Sequence, residues 1–77
     1  MKTDYKYIRF VEIPNESRKT NLYDCYSHTG DVLGFVHWYG PWRQYCFQPR
    51  AHIVFSVGCL ADVGDFITQL MEERRKP

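Results

Sequence analysis

The chain lacks most of the features that assign a sequence directly to a large functional class. Its 77 residues contain no apolar run that approaches the ~18 residues of a membrane-spanning helix. Positive charge exceeds negative charge by only one, because 10 Lys and Arg oppose 9 Asp and Glu. Strong non-specific nucleic-acid binding usually shows a larger excess, since affinity comes from neutralising several phosphates. We therefore expect neither a membrane-spanning protein nor a strongly basic, non-specific nucleic-acid-binding protein.

Cysteine is also scarce, which bears on the compartment and on covalent cross-links. The chain has three cysteines, Cys25, Cys46 and Cys59. The N-terminus runs from charged residues into a strand-like pattern, so no secretory signal is expected. An odd number of cysteines without a signal is typical of reduced thiols. The sequence predicts a cytoplasmic protein without a disulfide.

Apolar and β-branched residues recur in short runs that end at turn residues, which indicates hairpins. The runs predict strands over residues 5–13, 21–28, 32–39, 42–48 and 51–57. Connections this short join antiparallel strands, because parallel strands need long crossovers. We expect a five-stranded antiparallel meander within a single domain, 1–77.

The period of the apolar pattern changes after this region and indicates one helix over residues 60–74. Its apolar stripe repeats every 3.6 residues and consists of Leu60, Val63, Phe66, Ile67, Leu70 and Met71. Gly64 weakens the helix, and its missing side chain is expected to let the helix lie close to the sheet. The predicted fold class is therefore α+β, with one C-terminal α-helix on one face of the sheet.

Strand alternation places large apolar groups on both faces of this sheet. In the third strand, Val36 and Trp38 share one side, while Phe35, His37 and Tyr39 share the other. One helix can cover only one face. We expect the second face to be an interface with a protein partner or with a second copy as a homodimer. The alternative is a monomer whose outer sheet face stays exposed to solvent.

The stretch from Gly34 to Pro49, GFVHWYGPWRQYCFQP, resembles a motif of small uncharacterised proteins from bacteria and their phages. Such proteins often continue, as here, with Phe55-Ser56 and then with Cys59 to Val63. The resemblance runs over roughly residues 32–71. It implies a phage or mobile-element origin and carries no functional residue across.

Cysteine and histidine positions give the candidates for metal binding or catalysis. Cys25 and His28 have a Cys-x-x-His spacing, but no second close pair would complete a tetrahedral zinc site. Cys46 and His37 would share one face of neighbouring strands, yet a mid-strand thiol is usually a core residue. Cys59 lies at the helix start, where the dipole lowers a thiol pKa, although a capping or packing role is commoner. We expect no metal, no cofactor and no catalytic residue.

The turn between the third and fourth strands holds the residues most typical of binding surfaces. Trp, Tyr and Arg are enriched in interface hot spots, and the candidate binding residues are Trp38, Tyr39, Trp42, Arg43 and Tyr45. Arg43 is expected to stack on the Trp38 indole. A hairpin with two tryptophans can equally be a local core plug, so core packing and contact surface both remain open.

The favoured function is a small non-catalytic protein-interaction module of phage or prophage type. An inhibitor of a host defence system is a natural subclass if the phage resemblance holds. The alternative is a single-stranded nucleic-acid-binding accessory protein, because sheets with aromatic and basic residues stack bases. Its parts would be Tyr5, Tyr7, Tyr23, Tyr26, Trp38 and Arg43, with Lys6, Arg9, Arg18, Lys19 and Arg50 nearby. The near-neutral charge predicts weak, salt-sensitive binding at most.

Overall fold

The computed structural model describes residues 1–14 and 19–76. Along the chain lie β1 (Ile8–Ile13), β2 (Leu22–Ser27), β3 (Val32–Tyr39), a short 3₁₀ turn (Gly40–Trp42), β4 (Gln44–Pro49) and α1 (Val57–Arg75). The predicted turn at 14–17 and the basic residue Arg18 fall almost entirely outside the described residues. The α+β class, the antiparallel sheet and the single C-terminal helix are confirmed.

The four strands follow one another across the sheet in chain order, each antiparallel to the next. One row of the register runs from Phe10 through Cys25 and Gly34 to Pro49. At Gly34 the strands approach so closely that a Cβ would lie 2.5 Å from the Gln48 carbonyl oxygen. A residue without a side chain is therefore required at the centre of β3.

The predicted fifth strand, 51–57, is wrong. Ala51 and His52 form a turn, and His52 has a positive φ of 64°, which directs the chain away from the sheet. Residues 53–56 form no strand, and Val54 is 93% exposed. The segment with alternating apolar residues is instead a connection between β4 and α1. Within it, the Phe55 ring packs on Phe47 at 5.4 Å between centroids. Alternation alone does not distinguish such a connection from a strand.

The other predicted strand limits differ by smaller amounts. β3 has the predicted limits, and β2 lies within 21–28. β1 begins at Ile8, not at residue 5, because the preceding residues fold back along it. β4 begins at Gln44, not at residue 42, because residues 40–42 close the hairpin as a 3₁₀ turn.

Helix α1 begins at Val57, three residues before the predicted start at 60, because Ser56 provides its cap. The Ser56 hydroxyl accepts a hydrogen bond from the Cys59 backbone N–H at 3.1 Å, which satisfies one of the otherwise unpaired donors of the first turn. Arg74 and Arg75 lie in the last turn, where positive charge suits the helix dipole. Within the described residues, no helix is long and apolar enough to span a membrane.

The core lies between α1 and one face of the sheet. Phe66 is fully buried and stacks on Phe10 of β1, with 4.0 Å between ring centroids. Val63 and Leu70 are buried beside it, and Ile67 and Met71 pack around them. The predicted stripe is correct except at Leu60, which is 55% exposed because the helix turns that position away from the sheet.

Gly64 does not bring the helix close to the sheet, so that prediction is wrong. A Cβ at Gly64 would meet no atom within 4 Å. The position faces open space on the outer side of α1. Its missing side chain therefore gives no closer packing in this fold.

The N-terminal segment holds the sheet and the helix together through polar contacts. The Tyr5 hydroxyl donates to Asp65 at 2.7 Å, and the Gln69 amide donates to the Tyr5 oxygen at 2.8 Å. Gln69 also pairs with the Lys2 backbone, accepting at 2.8 Å and donating at 2.9 Å. Burial, followed by the contact with Asp65, raises the pKa of Tyr5. Its hydroxyl therefore stays protonated, as this donor role requires.

Candidate functional site

The tip of the β3–β4 hairpin is a short 3₁₀ turn. Pro41 lies in the first positions of the 3₁₀ turn, where its fixed φ fits without loss of a hydrogen bond. Arg43 closes the turn in the left-handed region, with φ 53° and ψ 47°, and its N–H donates to the Gly40 carbonyl at 3.1 Å. The backbone that presents the tip side chains is therefore closed by a hydrogen bond and constrained by proline.

Trp42 is the most exposed aromatic side chain of the tip, with 67% of its surface accessible. Its ring leans edge-to-face on Tyr39 at 5.1 Å between centroids, and Tyr39 is itself exposed. Arg43 beside them is exposed as well. Trp42, Tyr39 and Arg43, called the aromatic tip below, thus combine large apolar area with a charged group at one end of the molecule.

An aromatic row continues from the tip along the outer face of β3. Successive ring centroids lie 5.1 Å apart from Phe35 to His37 and 6.3 Å apart from His37 to Tyr39. A shallow groove of about 200 Å³ runs beside the row. It is lined by His37, Tyr39, Trp42, Cys46, Phe47, Gln48 and Pro49. The face not covered by α1 therefore has a mostly apolar surface next to the tip, with a few polar groups at its edge.

Trp38 and Tyr45, the other two predicted binding residues, point to the helix side of the sheet. Tyr45 is buried and packs edge-to-face on Trp38 at 5.4 Å. The predicted stacking of Arg43 on Trp38 is wrong, since the Arg74 guanidinium covers that indole at 3.9 Å from the ring centroid. The two expected locations, core and surface, are therefore divided between the two tryptophans. Trp38 packs inward, and Trp42 is exposed.

The cysteines differ in surroundings. Cys25 is fully buried between strands, and burial raises the pKa of its thiol to about 12. Cys46 lies opposite His37 in the register, so these two residues do share one face of neighbouring strands. Cys59 is partly buried in the first turn of α1 and contributes its backbone N–H to the Ser56 cap. These three are free thiols.

His28 lies in the turn after β2 and contacts the N-terminal segment. Its Nε2 is 2.6 Å from the Tyr5 carbonyl oxygen and 3.6 Å from the Asp4 carboxylate. Across residues 1–14 and 19–76, no three His, Cys, Asp or Glu side chains come together in an arrangement that could hold a metal ion.

The structure also locates the aromatic residues considered for base stacking. Tyr5 and Tyr23 are buried and cannot stack on a base. Tyr7 is exposed, and Tyr26 on the outer face carries Arg9 at 5.2 Å from its ring centroid. Only part of the proposed stacking set therefore reaches solvent.

Two features of this region were missed in the sequence. The Arg74–Trp38 contact joins residues far apart in the chain, and no local pattern indicates it. The left-handed turn at Arg43 was missed as well, although Gly40-Pro41 before it is a recognisable turn signal.

The fold is a small α+β domain with an exposed aromatic tip, and comparison shows that the chain is similar to a phage protein. The chain is 35% identical over 72 residues to the "Uncharacterized 9.3 kDa protein" of Acholeplasma phage L2, with 92% of each chain covered. It belongs to the same family as that phage protein. No protein-family model matches the chain, and no solved structure matches it.

Proposed function

We propose that this protein is a non-catalytic protein-interaction module and that the aromatic tip binds its partner. The observation that carries the proposal is the exposure of Trp42 and Tyr39 on a turn whose backbone is constrained by proline and a hydrogen bond. Tryptophan, tyrosine and arginine dominate binding energies at interfaces because they offer large, rigid area with a polar edge. A turn that is constrained in this way loses little conformational entropy on binding.

The outer face of the sheet extends this contact surface. The groove beside β3 connects the tip with His37 and Cys46, and the half-buried Phe35 continues the row. A partner seated on the tip would also cover this face, which one helix leaves open. A second copy of the chain, giving a homodimer, is the competing occupant of the same surface.

The relationship to a phage protein narrows the kind of partner. A small phage protein with an exposed binding tip is suited to block a larger host assembly by occupying its surface. We propose that the protein acts in the cytoplasm and inhibits a host system, such as a defence complex. The module requires no cofactor and no metal for this role.

The proposal is tested by a comparison of tagged wild-type protein with Trp42→Ala and Tyr39→Ala in cells of the natural host. Proteins that co-purify with the wild type are identified by mass spectrometry, then purified and titrated by calorimetry. We expect each tip variant to weaken binding of the purified partner by about 2 kcal/mol or more, as for an interface hot spot.

Val54→Ala is the matched control, since Val54 is an exposed apolar residue that lies outside the tip. It should bind the partner like the wild type. Equal affinities for the tip variants and the wild type would contradict the proposal. Sedimentation of the isolated chain tests whether a second copy occupies this surface instead of another protein. A dimer that Trp42→Ala disrupts would show that it does.

Single-stranded nucleic acid is the alternative ligand, supported by the Arg9–Tyr26 stack and the aromatic row on the same face. Aromatic side chains beside cationic groups stack bases. Fluorescence anisotropy with a labelled oligonucleotide at ~150 mM salt tests it, because binding through few phosphates weakens steeply with salt. Tight binding at that salt, lost in Trp42→Ala, would favour the alternative over a protein partner.

A further inference from the structure

A second concave surface lies on the helix side of the sheet, away from the aromatic tip. It is an open cleft of about 440 Å³, within the size range of small-molecule sites. The C-terminal half of α1 forms one wall, and the start of β2 and of β4 forms the other. Its lining consists of Met1, Asn21, Tyr23, Tyr45, Leu70, Glu73 and Arg74.

Two phenol groups on the floor of this cleft have hydrogen atoms to donate. The Tyr23 oxygen accepts from the Asn21 amide at 3.1 Å, and within the described chain its own proton has no acceptor. Tyr45 is 8% exposed, and its hydroxyl, without a partner among the described residues, reaches solvent there. Burial raises the pKa of Tyr23, so its hydroxyl remains a donor at neutral pH.

Arg74 adds a cation at the edge of the same cleft. The carbon of its guanidinium lies 3.9 Å from the Trp38 ring centroid, and within the described residues its guanidinium N–H groups donate no hydrogen bond. In the described part of the chain, Arg74 forms no salt bridge. The neighbouring Glu73 carboxylate is instead paired with Lys76 at 3.1 Å. Among the described residues of the lining, Arg74 and the two phenols are donors without a hydrogen-bond acceptor, while Asn21 and Glu73 contribute acceptor oxygens.

We propose that this cleft binds the carboxylate of a small organic acid. Arg74 takes the carboxylate oxygens through its N–H edges, and the two phenols donate from the floor. Leu70 and Met1 provide apolar contact for the carbon skeleton of the ligand. Glu73 and the negative end of the helix dipole oppose every anion, and they oppose a doubly charged phosphate more strongly than a singly charged carboxylate.

The fluorescence of Trp38 reports on ligand binding, because the Trp38 indole is in contact with Arg74. The chain has two tryptophans, so Trp42→Phe leaves Trp38 as the single indole fluorophore. This variant is titrated with capped aspartate, capped asparagine and inorganic phosphate at constant ionic strength. We expect a saturable change of Trp38 fluorescence with capped aspartate and none with capped asparagine.

Two further substitutions in the same background assign the response to the cleft. Arg74→Gln should weaken the binding of capped aspartate by about tenfold or more, the factor for losing a hydrogen bond to a charged group. Arg75→Gln is the matched control and should change nothing. Tyr45→Phe should weaken binding by a smaller factor, and circular dichroism checks that each variant is folded.

Four outcomes would overturn the proposal. They are no saturable response to capped aspartate, an equal response to capped asparagine, equal effects of Arg74→Gln and Arg75→Gln, or tighter binding of phosphate than of capped aspartate. The last outcome would show that the cleft attracts anions by charge alone. Because Trp42 is absent from every sample, none of these outcomes depends on the function proposed for the aromatic tip.

Discussion

The two tryptophans of one hairpin end in opposite surroundings. Trp38, on β3, points toward the helix and lies between Tyr45 and the Arg74 guanidinium. Trp42, in the 3₁₀ turn, projects into solvent and touches Tyr39 alone among the aromatic rings of the described residues. The covered face of the sheet therefore packs its aromatic groups into the fold, whereas Tyr39 and Trp42 remain exposed to solvent. Composition alone does not separate these roles, because strand alternation and the turn decide them.

The largest expected effect is on the covered face. Phe66→Ala should lower the free energy of unfolding by about 3–5 kcal/mol, because it removes a fully buried ring that stacks on Phe10. Chemical denaturation measures this loss. Leu60→Ala on the same helix is the control and should change stability little, since Leu60 is exposed. Similar losses for the two variants would break the distinction between the inner and outer sides of α1.

Two glycines sharpen the comparison between the sheet interior and the outer side of the helix. Gly34→Ala should destabilise the protein by about 1–3 kcal/mol, because the new methyl group would press on the β4 backbone. Gly64→Ala should instead stabilise it by up to about 1 kcal/mol, because the position is open and alanine favours helix. Thermal denaturation of both variants gives the signs. Destabilisation by Gly64→Ala would show that the outer side of α1 is more crowded than described.

Tyr5→Phe tests the polar contacts that hold the N-terminal segment on α1. Removing the hydroxyl should cost about 1 kcal/mol at neutral pH, since Asp65 and Gln69 lose a buried partner. The pKa of Tyr5 is raised in the fold, so its stabilising contribution is present below its ordinary value of 10.0 and is lost as the pH rises above it. Stability measured from neutral to alkaline pH should therefore fall less steeply in Tyr5→Phe than in the wild type. Parallel curves would contradict this assignment.

The smallest expected effect on stability is at the tip. Trp42→Ala should change the free energy of unfolding by no more than about 0.5 kcal/mol, since the side chain is mostly exposed. Trp38→Ala should cost clearly more, because it removes the indole between Tyr45 and Arg74. Equal losses would mean that the tip belongs to the core.

Much of the sheet could be predicted because its signals are local. The limits of β3 and the assignment of Val36 and Phe35 to opposite faces follow from the alternation of side chains along a strand. The segment from Ile53 to Val57 shows the same alternation without being a strand. Ser56, a preferred N-cap residue, was the available signal that the helix begins earlier.

The candidate sites were harder to predict because they depend on contacts between distant residues. The aromatic tip was selected from composition alone, and only the fold shows that Trp42 is exposed while Tyr45 is buried. Arg74 reaches Trp38 only because the C-terminal end of α1 lies over the hairpin. Local patterns carry no information about such a pairing.

The folded-back N-terminal segment also limits how these molecules can assemble. Thr3 and Tyr5 hydrogen-bond to the outer edge of β1, through the Phe10 N–H and the Ile8 carbonyl, each at 2.9 Å. In the described residues, β4 has no backbone partner on its free side, and the Tyr45 N–H of that strand donates to the Met71 sulfur at 3.4 Å. Edge-to-edge joining of sheets needs two open edges in every molecule to continue into a filament. The chain's own N-terminal segment covers part of the β1 edge, which disfavours continued growth of this kind.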